Sequence, residues 1–192
     1  QISPTVALGI RVELISQFIS DHLSYIGIAK NHITMRDVAN VLARAVGTGV
    51  SRGLLGGKAA GMLLACRILR PTLEAHAPEI DDTLAEADSY FLKSSVASDY
   101  VDSNHLEECH SLKYLEGDAI EEARRRLYPR FMRGRFNDEV LQKLHAILDE
   151  TDGAPLILRS SSYLEDGVGC SFTGKYESVF ISNRGSREER LE

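Results

Sequence analysis

The sequence predicts an α+β protein, in which a helical first part precedes a part that combines helices with short strands. Apolar residues recur at helical spacing over residues 5–27 and 118–150, a pattern typical of helices with one buried face. Three short apolar runs, at 89–92, 155–159 and 176–181, have the length and composition of strands instead. Because both kinds of element are needed to account for the chain, the predicted fold class is α+β.

The composition favours one globular domain, or slightly more than one. Of the 192 residues, 43% are hydrophobic and 26% are charged, which is enough for a substantial core. The net charge of -6 argues against a general nucleic-acid binder, because such proteins usually carry a basic excess. No apolar run approaches the roughly 18–20 residues of a membrane span. Three widely separated cysteines without metal-type spacing indicate reduced thiols, so we expect a cytoplasmic protein without a membrane partner.

The first 50 residues predict a helical segment packed on the main domain. Thr34 is a good N-cap with Asp37 three residues later, and we expect the helix that it starts to end at the glycines from Gly47 onward. The helix expected over 5–27 has apolar positions at Val6, Ile10, Leu14, Phe18, Leu23 and Ile26.

A glycine-rich turn then leads into a helix that carries a lysine at its start. Residues 53–64 read Gly-Leu-Leu-Gly-Gly-Lys-Ala-Ala-Gly-Met-Leu-Leu, and we expect Pro71 to stop the helix. The segment is not a P-loop, because that motif needs glycine where the chain has Arg52 and a hydroxyl residue where it has Ala59. Lys58 beside the free N–H groups and the positive helix end forms a candidate anion site. A solvated side chain is the commoner role of such a lysine.

The middle of the chain predicts a strand followed by helices. The candidate strand at 89–92 precedes a short helix capped by Ser94 or Ser95. A proline and Gly134 interrupt the helical pattern over 118–150, which favours a break over one long helix.

Six arginines form a local basic cluster in this pattern. Contact with phosphate or RNA and a solvated or ion-paired helix face are the two alternatives. Acidic residues precede the cluster and no aromatic stacking platform accompanies it, which favours the ion-paired face. The cluster comprises Arg124, Arg125, Arg126, Arg130, Arg133 and Arg135.

The most informative segment is the strand end at 156–162, which reads Leu-Ile-Leu-Arg-Ser-Ser-Ser. Arg159 offers a planar fork that matches phosphate oxygens. An acidic turn follows at 165–166, and a loop of small residues with Gly174 leads into the next strand. Because glycine lets backbone N–H groups approach phosphates closely, the segment predicts a site that holds phosphate groups.

Two segments together resemble the nucleotide-binding domain of phosphoenolpyruvate synthase and pyruvate phosphate dikinase, which is related to the ATP-grasp enzymes. The first is Gly-Gly-Lys-Ala-Ala-Gly at 56–61. The second is Leu-Arg-Ser-Ser-Ser at 158–162, with Glu-Asp at 165–166 and Ser-Phe-Thr-Gly at 171–174. The resemblance covers roughly residues 52–183, and the order and interval of the two segments make it specific.

The resemblance implies an ATP-grasp-like first subdomain, with a mixed or antiparallel sheet and helices. This domain is expected over 51–192, preceded by the helical segment 1–50. Ser186 as an N-cap with Glu189 at the capping-box position looks like a helix start that is cut short. We therefore expect the ATP-binding domain to be incomplete at its C-terminal end.

The function implied by the resemblance is ATP-dependent phosphoryl transfer towards a histidine on another domain. None of the six histidines of this chain has a recognisable phosphohistidine context. The implied catalytic residues are Lys58, which reaches the nucleotide phosphates, and Arg159, which pairs with their oxygens. ATP and Mg²⁺ are the implied cofactors, with metal ligands after residue 192. Pyruvate or another phosphoryl acceptor is the implied partner, through further domains. A non-catalytic nucleotide-sensing or interaction module derived from the same domain is the alternative. The implied cofactor-binding residues are Lys58, Arg159, Ser160, Ser171, Thr173 and Gly174.

Overall fold

The protein is mainly helical, with short strands, in a computed structural model that describes residues 2–47, 55–81, 86–162, 176–186 and 189–190. The α-helices are α1 Pro4–Phe18, α2 Leu23–Ala29, α3 Met35–Ala43, α4 Gly57–His76, α5 Pro78–Asp81, α6 Ser94–Ser103, α7 Asp118–Arg133 and α8 Asp138–Glu150. A 3-10 helix covers Glu107–Tyr114. The strands are β1 Ala45–Val46, β2 Phe91–Leu92, β3 Leu156–Leu158 and β4 Val179–Ile181. This mixture of helices and small sheets agrees with the predicted α+β class.

The strands form two separate pairs. β1 pairs with β2 in parallel, with Ala45 opposite Phe91. β3 pairs with β4 in antiparallel fashion, with Leu156 opposite Ile181 and Leu158 opposite Val179. The three predicted strands are thus present with shorter bounds. β1 was not predicted, because a strand of two residues is too short to show an alternating pattern.

The helix predicted over 5–27 is two helices, and the predicted apolar face is correct only in part. Leu14, Phe18 and Ile26 pack in the main core, whereas Leu23 is 85% exposed. α1 ends where the N–H groups of Ile19 and Ser20 both donate to the carbonyl of Ile15, at 2.9 and 3.0 Å. Ile15 and Ile19 are fully buried, whereas Val6 and Ile10 are 53% and 40% exposed. Because α1 is apolar on most of its circumference, spacing alone did not identify the face that packs.

The predicted cap of α3 is confirmed, but the predicted end is wrong. Thr34 Oγ1 accepts the N–H of Asp37 at 3.2 Å, and the Asp37 carboxylate accepts the N–H of Thr34 at 2.8 Å. This is a reciprocal capping box. The helix ends at Ala43 and the chain enters β1 before it reaches Gly47, so glycine does not end the helix.

Two prolines lie inside helices. α4 continues through Pro71 to His76, so the predicted stop is wrong. A proline inside a helix lacks an N–H donor and clashes with the carbonyl four residues earlier, at a cost of about 3 kcal/mol. The packing of Ala60, Leu63 and Leu64 in the main core holds α4 despite this cost. α7 likewise contains Pro129 and ends at its C-cap Gly134, which confirms a break in the helical pattern at the glycine.

The start of α6 also differs from the prediction. Its N-cap is Lys93, whose side chain makes no capping bond, rather than Ser94 or Ser95. The hydroxyl oxygen of Ser95 is buried without a hydrogen-bond partner among the described residues. The cap was misplaced because serine is a strong N-cap residue in general, and the chain turns into the helix directly after β2.

The main core joins the first three helices to α4. A smaller cluster, formed by Val46, Val96 and Val140, joins β1, α6 and α8. The core therefore fixes α4 on α1, α2 and α3, which sets the position of its N-terminus. The buried residues of the main core are Ile15, Ile19, Ile26, Ala29, Ile33, Val38, Val41, Leu55, Ala60, Leu63 and Leu64.

Candidate functional site

The structure brings the two predicted site segments together. The ammonium Nζ of Lys58 donates to the carbonyl of Ser160 at 3.4 Å. The backbone N–H of Ala59 donates to the hydroxyl of Ser161 at 3.3 Å. Each of these bonds joins residues 102 positions apart in the sequence. The start of α4 therefore lies directly against the chain that leaves β3.

Gly56 makes this close approach possible. It is the N-cap of α4 with φ of 77°, in the left-handed region that favours glycine. A Cβ atom at this position would overlap the carbonyl oxygen of Ser161. Any side chain at residue 56 would therefore push the strand end away from the helix start.

The charge of the helix start suits an anion. The first N–H groups of a helix have no partner within the helix and form the positive end of its dipole. Lys58 is the second residue of α4 and is half-buried. A fixed ammonium beside this helix end produces a local positive potential, although the chain as a whole is acidic.

Arg159 is the residue that directly follows β3. Its side chain is exposed and has no hydrogen bond or ion pair to any residue that the structure describes. The next residue, Ser160, is half-buried, and its hydroxyl accepts the N–H of Ser162 at 3.4 Å. Lys58 thus contacts the same strand end that carries Arg159.

The remaining predicted binding residues fall in a part of the chain that is not described. Ser171, Thr173 and Gly174 lie outside the described ranges, as does the acidic turn at 165–166. Their part in binding stays a prediction.

The far end of the β3–β4 pair is tied to the C-terminus of α8. The side chain of Asn183 is buried, with φ of 50°, and its Nδ2 donates to the carbonyl of Leu148 at 3.3 Å and to Thr151 Oγ1 at 3.0 Å. Arg190 Nη1 donates to the same carbonyl at 3.0 Å, and Nη2 pairs with Asp149 at 2.8 Å. A cation at a helix C-terminus is favourable. This role of Asn183 was not predicted from the sequence, although asparagine is a residue that tolerates the left-handed conformation.

The predicted Ser186–Glu189 pair is confirmed. The N–H of Ser186 donates to the Glu189 carboxylate at 2.7 Å, and the N–H of Glu189 donates to the Ser186 hydroxyl at 3.2 Å. The hydrogen bonds from the backbone and hydroxyl of Ser186 lower the pKa of Glu189.

A second concave region lies between α3, α4 and residues 86–91, and encloses about 400 Å³. Its central arginine, Arg67, pairs with Asp37 at 2.7 Å and with Glu86 at 3.1 Å. Arg44 pairs with Asp88 at 2.6 Å. We call this region the paired groove, because both of its arginines have carboxylate partners. The sequence analysis missed it.

Asp37 has a lowered pKa in this groove. Burial alone would raise the pKa of its carboxyl group. The hydrogen bonds from the hydroxyl and N–H of Thr34 and from Arg67, together with the charge of Arg67, outweigh burial and lower it.

The arginine cluster of α7 is largely ion-paired. Arg126 and Arg130 contact the carboxylate of Glu108 in the 3-10 helix. Arg124 and Arg125 lie near Glu121, one turn earlier in α7. This arrangement agrees with the predicted ion-paired helix face.

The described residues show neither a cluster of metal ligands nor a membrane-spanning helix. No group of three or more His, Cys, Asp or Glu side chains among them could hold a metal ion. None of the helices in the described ranges is both long and apolar enough to cross a membrane.

Comparison with known families identifies the chain. The family model described as pyruvate phosphate dikinase, AMP/ATP-binding domain, matches residues 52–192. No curated protein and no solved structure matches the chain significantly. The matched range begins just before α4 and contains both Lys58 and Arg159. The chain therefore belongs to the family of pyruvate phosphate dikinase AMP/ATP-binding domains.

Proposed function

We propose that this chain is the ATP-binding part of a phosphotransferase similar to phosphoenolpyruvate synthase and pyruvate phosphate dikinase, which transfers a phosphoryl group from ATP towards a histidine on another domain. Family membership supports binding of the nucleotide. The observation that carries the assignment to particular residues is the contact between Lys58 and Ser160, next to Arg159.

The chemistry of phosphoryl transfer explains why this junction is suitable. The reaction needs positioning and charge neutralisation more than a protein nucleophile. Lys58 provides a point charge beside the N–H groups of a helix start. Arg159 provides a planar fork for two phosphate oxygens. The two residues belong to different elements that meet at the strand end, and we propose that they contact different oxygens of one triphosphate.

A hydroxyl, a loop and a metal ion are the remaining features of the proposed site. Ser160 adds a hydroxyl at the strand end, and the loop with Ser171, Thr173 and Gly174 closes over the triphosphate. Mg²⁺ bound with the nucleotide supplies further neutralisation of phosphate charge, and its protein ligands are expected after residue 192. We further propose an ATP-grasp-like domain over 51–192, with 1–50 as a helical segment before it, in a cytoplasmic protein.

Calorimetry of the complete gene product with MgATP tests the assignment. We expect Arg159→Ala to weaken MgATP binding by about tenfold or more, because a hydrogen bond to a charged group contributes roughly 1.5–3 kcal/mol. Arg125→Ala is the matched control, since Arg125 is an exposed arginine of α7 whose ion pair within the described ranges is with nearby Glu121. An unchanged affinity in Arg159→Ala would overturn the assignment.

A transfer assay separates the proposed function from the alternative of a nucleotide-sensing module. We expect the complete gene product, incubated with ATP labelled at both the β and γ phosphates, to carry label on an acid-labile phosphohistidine. MgATP binding without any transfer of label would favour the sensing module instead.

A further inference from the structure

We infer that Ser161 is a positioning residue, whose hydroxyl caps α4 across the fold and thereby holds Lys58 in place beside Arg159. The inference rests on the proposed function, because its consequence is the affinity of that site for phosphate groups. It assigns to Ser161 a role that differs from direct contact with the nucleotide.

The capping bond of α4 has an unusual origin. In α3 and α8 the N-cap residues, Thr34 and Asn137, accept the N–H of the third helical residue at 3.2 and 2.9 Å. In α4 the N-cap is Gly56, which has no side chain to do this. The hydroxyl of Ser161 accepts the equivalent N–H, that of Ala59. The cap of α4 is therefore complete only when the strand end lies against it.

The contacts at this junction also fix its register. Consecutive residues of the strand end contact consecutive residues of the helix, Ser160 with Lys58 and Ser161 with Ala59. Arg159 is the next residue along the same backbone. A slip by one residue would remove both contacts and move Arg159 by about 3.3 Å along the strand direction.

The absence of charge on the Ser161 side chain matters for phosphate affinity as much as its hydrogen bond does. Serine, asparagine and aspartate cap helices about equally well. An aspartate at position 161 would place a negative charge at the helix end that is proposed to face phosphate, whereas asparagine of the same shape would not. The Asn and Asp variants therefore separate capping from charge.

The experiment measures MgATP affinity by calorimetry in the complete gene product, for Ser161→Ala, Ser161→Asn and Ser161→Asp. We expect about fivefold weaker binding for the alanine variant, because without a cap worth about 1 kcal/mol the junction opens in the free protein and MgATP binding has to close it. We expect the asparagine variant to bind within about twofold of the unmodified protein, and the aspartate variant to bind at least about tenfold more weakly, from charge repulsion of some 1.4 kcal/mol or more. The controls are Asn137→Ala and Asn137→Asp at the cap of α8, which we expect to leave affinity unchanged.

A second measurement tests the cap without any variant. Amide hydrogen exchange of the unmodified protein should show Ala59 protected, and Ser161→Ala should accelerate its exchange while Asn137→Ala does not. An unprotected Ala59 amide would overturn the inference, as would equal affinities for Ser161→Ala and the unmodified protein, or for the Asn and Asp variants at 161. If the unmodified protein does not bind MgATP, or Arg159→Ala binds as well as it does, the proposed function fails instead.

Discussion

The strand end at Arg159 and the paired groove both have arginines on or near α4, and they differ in what those arginines contact. In the groove, Arg67 and Arg44 have carboxylate partners at 2.7 and 2.6 Å. At the strand end, Lys58 contacts a backbone carbonyl and Arg159 has no ion pair to a described residue. One region therefore neutralises its positive charge internally, whereas the other keeps it.

This difference teaches how to tell a structural arginine from a binding one. A charged group removed from water is stable only with a partner, so Arg67, which pairs with the buried carboxylate of Asp37, serves the fold. An exposed arginine at a strand end has no such need, and it contributes little to folding. Mutation of a structural arginine should lower the free energy of unfolding, whereas mutation of a binding arginine should leave it nearly unchanged and weaken ligand binding.

The largest expected effect is on stability, from Arg67→Ala. Asp37 is only 7% exposed, and the substitution would leave its buried carboxylate without the ion pair to Arg67. Thr34 still donates to the carboxylate, but breaking a largely buried ion pair by removing one partner costs about 3 kcal/mol, so we expect the free energy of unfolding to fall by about that amount. Urea denaturation monitored by circular dichroism measures it.

The matched control for Arg67→Ala is Arg159→Ala, which removes the same side chain from the strand end. We expect it to change the free energy of unfolding by less than about 0.5 kcal/mol, as is usual for exposed positions. Equal destabilisation of the two variants would break the distinction between the regions.

A smaller effect is expected at the contact between helix start and strand end, from Gly56→Ala. The positive φ and the overlap with the Ser161 carbonyl both oppose a side chain, and we expect a loss of about 2 kcal/mol in the free energy of unfolding. Gly61→Ala is the control, because a Cβ there meets nothing within 4 Å. In the interior of α4 alanine should stabilise by about 0.5–1 kcal/mol. Destabilisation by both variants would show that the loss is not specific to the junction.

Much of the fold could be predicted from local patterns. The capping box at Thr34 and the break at Gly134 depend on neighbours in sequence, and both are present. The errors arose where tertiary packing decided the outcome. Pro71 lies within a helix held by the main core, and the buried face of α1 is set by its partners rather than by its own spacing.

The candidate site divides in the same way. Lys58 and Arg159 could be selected because each has a chemical role that residue type and position suggest. The cap from Ser161 and the pairing of Arg67 with Asp37 join residues 102 and 30 positions apart. Neither follows from sequence spacing, since such contacts exist only once the fold has formed.

The smallest expected effect is a pH dependence that also separates the two regions. The pKa of Asp37 is lowered in the folded protein, so its contribution to stability is present above the pKa of the unfolded chain, about 3.9. That contribution is lost as the pH falls through the lower, folded value. We therefore expect the difference in unfolding free energy between the unmodified protein and Asp37→Asn to shrink below about pH 4. Arg159→Ala should parallel the unmodified protein across the same range, because an arginine keeps its charge throughout. Urea denaturation at a series of pH values between 7 and 3 measures both, and a constant difference for Asp37→Asn would show that the paired groove does not stabilise the fold through this carboxylate.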